Sequence, residues 1–143
     1  MKNIIILLLR IALGIGFLSA VADRFGFWGS PGEPAVAWGN WENFIQYTAQ
    51  LNFSASTTTA NVLGIIGTAL EITFGILLII GFKIKNIAFF SGILLLVFGL
   101  EMSMNTHLKS ALDASVFTAS FGAFLLSVQP VGKWSIDYLL QKK

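Results

Sequence analysis

The sequence predicts an all-α membrane protein: a bundle of four transmembrane helices with a short extracytoplasmic interfacial helix in the first loop. Three observations carry this expectation. Four apolar runs, at residues 4–22, 62–82, 87–103 and 116–131, occupy much of a chain of 143 residues. Charged residues make up 11% of the chain, less than half of the roughly 25% found in soluble domains. None of the runs alternates as a strand does, and each is apolar nearly all round, as a helix surrounded by lipid is. Residues 1–143 read as one membrane domain.

The first run contains Arg10 and ends in Ala20-Val21-Ala22, the small-x-small pattern of a signal-peptidase site. A signal peptide carries an uncharged apolar stretch of roughly 7 to 15 residues. Residues 4–22 are longer, and Arg10 interrupts them, so a retained helix is expected. The long connection that follows has a turn at Ser30-Pro31-Gly32-Glu33-Pro34. Asn40 can then cap a helix Trp41–Leu51 whose one face carries Trp41, Phe44, Ile45, Thr48 and Leu51. Trp28, Trp38 and Trp41, three of the four tryptophans, lie in this connection. Tryptophan favours the headgroup layer, so the segment is expected to lie on the outer leaflet, as a plain interfacial anchor or as a lid. Asn52-Phe53-Ser54 matches a glycosylation sequon by chance, and residues 54–59 read as a linker.

The run at 62–82 is long enough to span. The runs at 87–103 and 116–131 sit near the lower end of the roughly 17 to 25 residues a spanning helix needs. Glycines within the runs (Gly14, Gly64, Gly75 and Gly92 among them) let helices approach closely, and Pro130 marks the end of the fourth. Lys2, Lys83, Lys85, Lys133, Lys142 and Lys143 fall on one side of four spans. Asp23, Arg24, Glu33, Glu42, His107, Lys109 and Asp113 fall on the other, where Asp23, Arg24, His107, Lys109 and Asp113 read as a solvated rim. Lysine and arginine concentrate on the cytoplasmic side, so both termini are expected there. There is no internal repeat of the kind many transporters carry.

Composition narrows the chemistry. There are 0 cysteines and 1 histidine, which excludes disulfides, iron–sulfur clusters, bis-histidine haem and the usual zinc triads. No metal and no tightly bound cofactor is expected. The formal charge of +2 comes without a basic face, so nucleic acid is not a partner.

Three charges fall inside the apolar runs: Arg10, Glu71 and Glu101. Charges within spans are costly, on the order of 2.5 to 3.5 kcal/mol each, and they find partners or line a cavity. At 1.5 Å per residue, Arg10 lies roughly 9 Å, Glu71 roughly 16 Å and Glu101 roughly 21 Å from the cytoplasmic ends of their spans. Arg10 is therefore expected to reach Glu71, as a packing ion pair or as part of a site. Side chains lean toward the N-terminus of their helix, which opposes that pair and tilts Glu71 and Glu101 toward one another. The stripe Asn61, Gly64, Thr68, Glu71, Gly75 makes one small and polar face on the second spanning helix.

Arg10-Ile11-Ala12-Leu13-Gly14, continuing to Phe17-Leu18-Ser19-Ala20, resembles the opening of the DoxX family of small four-helix membrane proteins. Glu71-Ile72-Thr73-Phe74-Gly75, continuing to Gly81-Phe82, is similar to that family's second span. The resemblance implies a bacterial or archaeal inner membrane and, through members associated with quinone-linked oxidoreductases, a quinone ligand and an oxidoreductase partner subunit. The expected function is a membrane subunit that binds a quinone or similar amphiphile. Arg10 would orient its polar head, Glu71 would exchange a proton, Glu101 would face the same site, and Trp28 and Trp41 would cover the entrance. A small proton-coupled transporter, a lipid-interacting protein and an assembly scaffold stand as alternatives, with the bilayer itself and a homo-oligomer as further partners.

Overall fold

In hydrocarbon a backbone can satisfy its own polar groups only as a helix or a closed barrel, and this chain folds as helices. The computed structural model describes residues 1–53 and 55–141. Ser54 of the sequon, the first residue of the expected linker, and the expected cytoplasmic Lys142 and Lys143 lie outside the described residues. Among the described residues there are seven helices and no strand: α1 Lys2–Arg24, α2 Trp41–Leu51, α3 Thr57–Ile80, α4 Ile84–Asn105, α5 Leu108–Asp113, α6 Val116–Ser127 and α7 Ile136–Leu140.

Three helices, α1, α3 and α4, are long and apolar enough to cross a membrane, with 23, 24 and 22 residues and mean hydropathies of 2.6, 2.3 and 2.0. The apolar α6 has 12 residues, about 18 Å of helix, against a hydrocarbon core of about 30 Å. Helices α1, α3, α4 and α6 pack as a closed ring, each against the next and α6 back against α1. Their shared core is Ile6, Leu13 and Phe17 of α1, Leu78 of α3, Ile84 and Ala88 of α4, and Ala123 and Leu126 of α6. Ile15, Ile65, Ile76, Phe90, Phe121 and Leu125 point outward and are exposed, an apolar surface that only lipid or protein would cover.

The helices overrun the apolar runs at most ends. α1 continues through Asp23 and Arg24. α3 starts at Thr57 on a Ser56 cap that accepts from the Thr59 amide, so the second half of the expected linker, residues 57–59, is helix. α3 stops at Gly81, whose φ of 74° is left-handed and suits a residue without Cβ. α6 ends at Ser127, ahead of Pro130. Lid helix α2 forms on its Asn40 cap as expected, with Phe44, Ile45, Thr48 and Leu51 buried.

Two glycines set the register of the antiparallel pair α1 and α3. A Cβ on Gly14 would stand 2.8 Å from the Gly75 carbonyl oxygen, and one on Gly75 would stand 3.1 Å from that of Gly14. The backbones meet at this point, and the charged residues distribute themselves on either side of it.

Candidate functional site

From the Gly14–Gly75 crossing, α1 runs on toward the lid and ends at Arg24. The Arg24 side chain leans back along α1, while Glu71 on the antiparallel α3 leans toward the lid end, so the two converge. Arg24 Nη1 forms an ion pair with Glu71 Oε2, with both side chains 4% exposed. The same nitrogen donates to Thr68 Oγ1 at 2.7 Å. The guanidinium lies 4.0 Å from the ring centroid of Phe44 and 5.3 Å from that of Trp38, a cation–π arrangement in a dry setting.

Asp23, the neighbouring residue, is also buried, and its Oδ2 accepts the amides of Ala37 and Trp38, each at 3.0 Å. Consecutive residues of α1 thus hold the lid in two ways, one by its backbone and one beneath its rings. Asn105 at the end of α4 donates to the Leu51 carbonyl at 2.5 Å, and further attachments run to α3. Trp41 Nε1 donates to Asn61 Oδ1 at 3.3 Å, and Gly64 makes room for α2, since a Cβ there would meet Ile45 Cδ1 at 2.6 Å. The polar stripe of α3 is therefore a seam with two neighbours: Gly64 against α2, and Thr68, Glu71 and Gly75 against α1. Tyr47 of α2 sits against Trp38, ring centroids 5.9 Å apart, and burial raises its phenol above the ordinary range.

This geometry corrects the expected Arg10–Glu71 pair. Arg10, 1% exposed, lies on the far side of the glycine crossing. Its Nη2 donates to the carbonyls of Trp134 at 2.7 Å and Ile79 at 3.4 Å, joining the end of α3 to the C-terminal segment. The reach of an extended arginine across the roughly 7 Å difference in depth suggested the pair, but the lean of both side chains widens that gap. Asp23 and Arg24 are likewise not rim residues. Lys109 and Asp113 are, forming an exposed ion pair one turn apart on α5.

Glu101 does not share a site with Glu71. Gly67 faces Phe98 across α3 and α4, which places Glu101 about 10 Å nearer the lid end along the bundle than Glu71. Of the two tryptophans expected at an entrance, Trp41 stacks on Phe25 with ring centroids 5.8 Å apart. Trp28 does line an opening. A groove of about 510 Å³ runs between Gly16, Ser19, Ala20 and Asp23 of α1 and the loop residues Trp28 and Trp38. Trp28 Nε1 donates to the Ser19 carbonyl at 3.0 Å, fixing the outer wall. The groove adjoins the outward face of α1, where Ile15 is 55% exposed, and its inner end is Asp23 and Trp38, which touch the lid amides and the Arg24 guanidinium.

Arg24, expected at the rim, and Trp38, expected only as one of the loop tryptophans, are the two residues that join the groove to the ion pair. The signal for Arg24 was present: the lean rule that disfavours Arg10–Glu71 favours Arg24–Glu71. Among the described residues no cluster of His, Asp or Glu is placed to hold a metal ion. Comparison with family models, with curated proteins and with solved structures gave no match for this chain.

Proposed function

We propose that the protein is a membrane subunit that binds a planar-headed amphiphile of the quinone class in the groove between α1 and the tryptophan-bearing loop, and presents it to a partner oxidoreductase. The observation that carries this reading is the groove itself. It is of ligand size, within the roughly 300 to 1,000 Å³ usual for small-molecule sites. It adjoins the apolar outer face of α1, has flat indole walls, and ends beside a buried carboxylate and guanidinium. An apolar tail stays in the bilayer while the head stacks on Trp28 and Trp38. Asp23 and Arg24, in place of the expected Arg10, form the polar end of the site, and Glu71 offsets the charge of Arg24. The chain has no cysteine and so no thiolate ligands for an iron–sulfur cluster, and in this reading the partner supplies the electrons.

The DoxX-like segments around Arg10 and Glu71 support the same reading, and with it a bacterial or archaeal inner membrane. In this account α6 with its flanks is a fourth crossing. α4 leads away from the α3–α4 turn, yet Asp137 accepts the amides of Lys83 and Ile84 at that turn, so the chain returns the length of the bundle between them. Four crossings put both termini on the lysine-rich, cytoplasmic side.

The test uses Gly16→Leu. A Cβ on Gly16 meets nothing within 4 Å, so the larger side chain enters the groove without disturbing the bundle. Amphiphiles extracted from protein purified in mild detergent are identified by mass spectrometry. About one quinone per chain in the wild type, falling at least fivefold in Gly16→Leu at unchanged melting temperature, is the expected result. No quinone in the wild type, or solute flux by the protein alone in liposomes, would replace this reading with transport or scaffolding.

A further inference from the structure

At the opposite end of the bundle lies a second opening that the proposed function does not use. It has a volume of about 540 Å³ and lies between the end of α3 and the C-terminal segment, lined by Ile80, Lys133, Trp134, Ser135, Tyr138 and Leu139. The segment that walls it is held firmly. Asp137 accepts the Lys83 and Ile84 amides at 2.7 and 2.8 Å, and the Asp137 amide donates to the Gly81 carbonyl at 3.0 Å. Gly81 is required here, because a Cβ would stand 2.5 Å from Ser135 Cβ and 2.7 Å from Arg10 Nη1.

The turn presents Trp134 in an unusual way. Its φ is 62°, a left-handed conformation rare for a bulky residue. Buried Arg10 holds the Trp134 carbonyl, and the side chain is 60% exposed. The buried guanidinium is itself only partly satisfied: Nε and Nη1 have no hydrogen-bond partner. Around the opening positive charge predominates, with the Asp137 carboxylate close by. Lys2, Lys83, Lys85 and Lys133 are exposed at this end, and Asp137 is occupied in capping α4.

We infer that this opening is a binding site for an anionic phospholipid of the leaflet that the lysine-rich end meets. The phosphate would sit at Lys133, over the positive field of buried Arg10, with the indole of Trp134 and the ring of Tyr138 at headgroup depth, where aromatic side chains collect. An acyl chain follows Ile80 and Leu139 toward the outer face of α3. Charge selects the occupant: an anionic headgroup matches a lysine-flanked opening with a buried cation beneath it, and a zwitterionic one does not.

The experiment compares retention of phosphatidylglycerol and phosphatidylcholine. The full chain, in detergent micelles containing equal amounts of the two lipids, is analysed by native mass spectrometry. The wild type is expected to keep phosphatidylglycerol in clear preference. Lys133→Gln should weaken that preference about fivefold, the weight of one basic side chain near an anionic surface. Lys85→Gln, exposed at the same end but outside the opening, should change it little. Trp134→Gly suits the left-handed backbone, so it removes the indole without unfolding the turn and should lower retention of the bound lipid. Equal retention of both lipids by the wild type would overturn the site. Equal losses in Lys85→Gln and Lys133→Gln would also overturn it, by showing a general surface charge.

Discussion

Removing both members of the Arg24–Glu71 pair should cost clearly less than the two single removals added together. In Arg24→Leu the buried carboxylate of Glu71 loses its counter-charge. Taking up a proton at pH 7 limits that penalty to about 4 kcal/mol, at 1.36 kcal/mol per unit from an ordinary carboxyl pKa of about 4.3. The lost contacts with Phe44 and Trp38 add about 1 to 2 kcal/mol. In Glu71→Gln the guanidinium cannot shed its proton, and an uncompensated buried charge costs about 3 to 5 kcal/mol. The double variant buries no charge at this point, so its loss should fall short of the summed single losses by about 2 to 3 kcal/mol, within the range of coupling for residues in direct contact. Polar contacts between membrane helices average only about 0.6 kcal/mol, so a coupling above about 1.5 kcal/mol separates a true ion pair from packing. The assay is unfolding in mixed micelles titrated with dodecyl sulfate, followed by circular dichroism. Arg10→Leu with Glu71→Gln serves as the control and should be additive within about 0.5 kcal/mol, as for residues without shared partners. Additivity of Arg24 and Glu71, or coupling of Arg10 and Glu71, would refute the placement of the pair.

Other expectations follow from single contacts. Gly75→Val places bulk against the Gly14 backbone and should destabilise by about 1 to 3 kcal/mol, as overpacking does, whereas Gly16→Leu should leave the melting temperature unchanged. Asp137→Ala removes the carboxylate that caps α4 and should lower stability by about 1 kcal/mol, read in the same micelle titration. Burial raises the Tyr47 phenol, so the folded state keeps a proton that the unfolded state releases at about pH 10. Stability should therefore fall as pH rises from that point through the folded pKa, and Tyr47→Phe should flatten the fall; a wild type and variant with the same alkaline profile would show that Tyr47 is not buried. With 0 native cysteines, a cysteine placed at Ser30 should react with an impermeant maleimide from outside the cell and one at Lys133 only after permeabilisation; the reverse pattern would invert the orientation.

Much of the framework was legible because hydrophobic length and capping chemistry are local. The Asn40 cap, the buried face of α2 and the long helices followed from residue type and spacing. Helix ends were harder, because apolar runs show where lipid contact stops and not where hydrogen bonding stops. This is why Arg24 read as rim when it is the last helical residue, turned inward. The site depended on register between helices far apart in sequence, set by two backbones touching at Gly14 and Gly75, and spacing within one helix does not contain that information. The short α5 and α7 left no sequence signal strong enough to read, since their place depends on contacts such as Asp137 with the start of α4.

The central claim is that the groove beside α1 receives the head of an amphiphile, and photo-crosslinking tests it most directly. A quinone analogue with a photoreactive head, added to the protein in bicelles, is irradiated and the modified peptides are mapped. The account predicts modification between residues 16 and 23 and between 28 and 38, suppressed by Gly16→Leu and competed away by unlabelled quinone. Labelling confined to residues 132–140, or unchanged in Gly16→Leu, would contradict it.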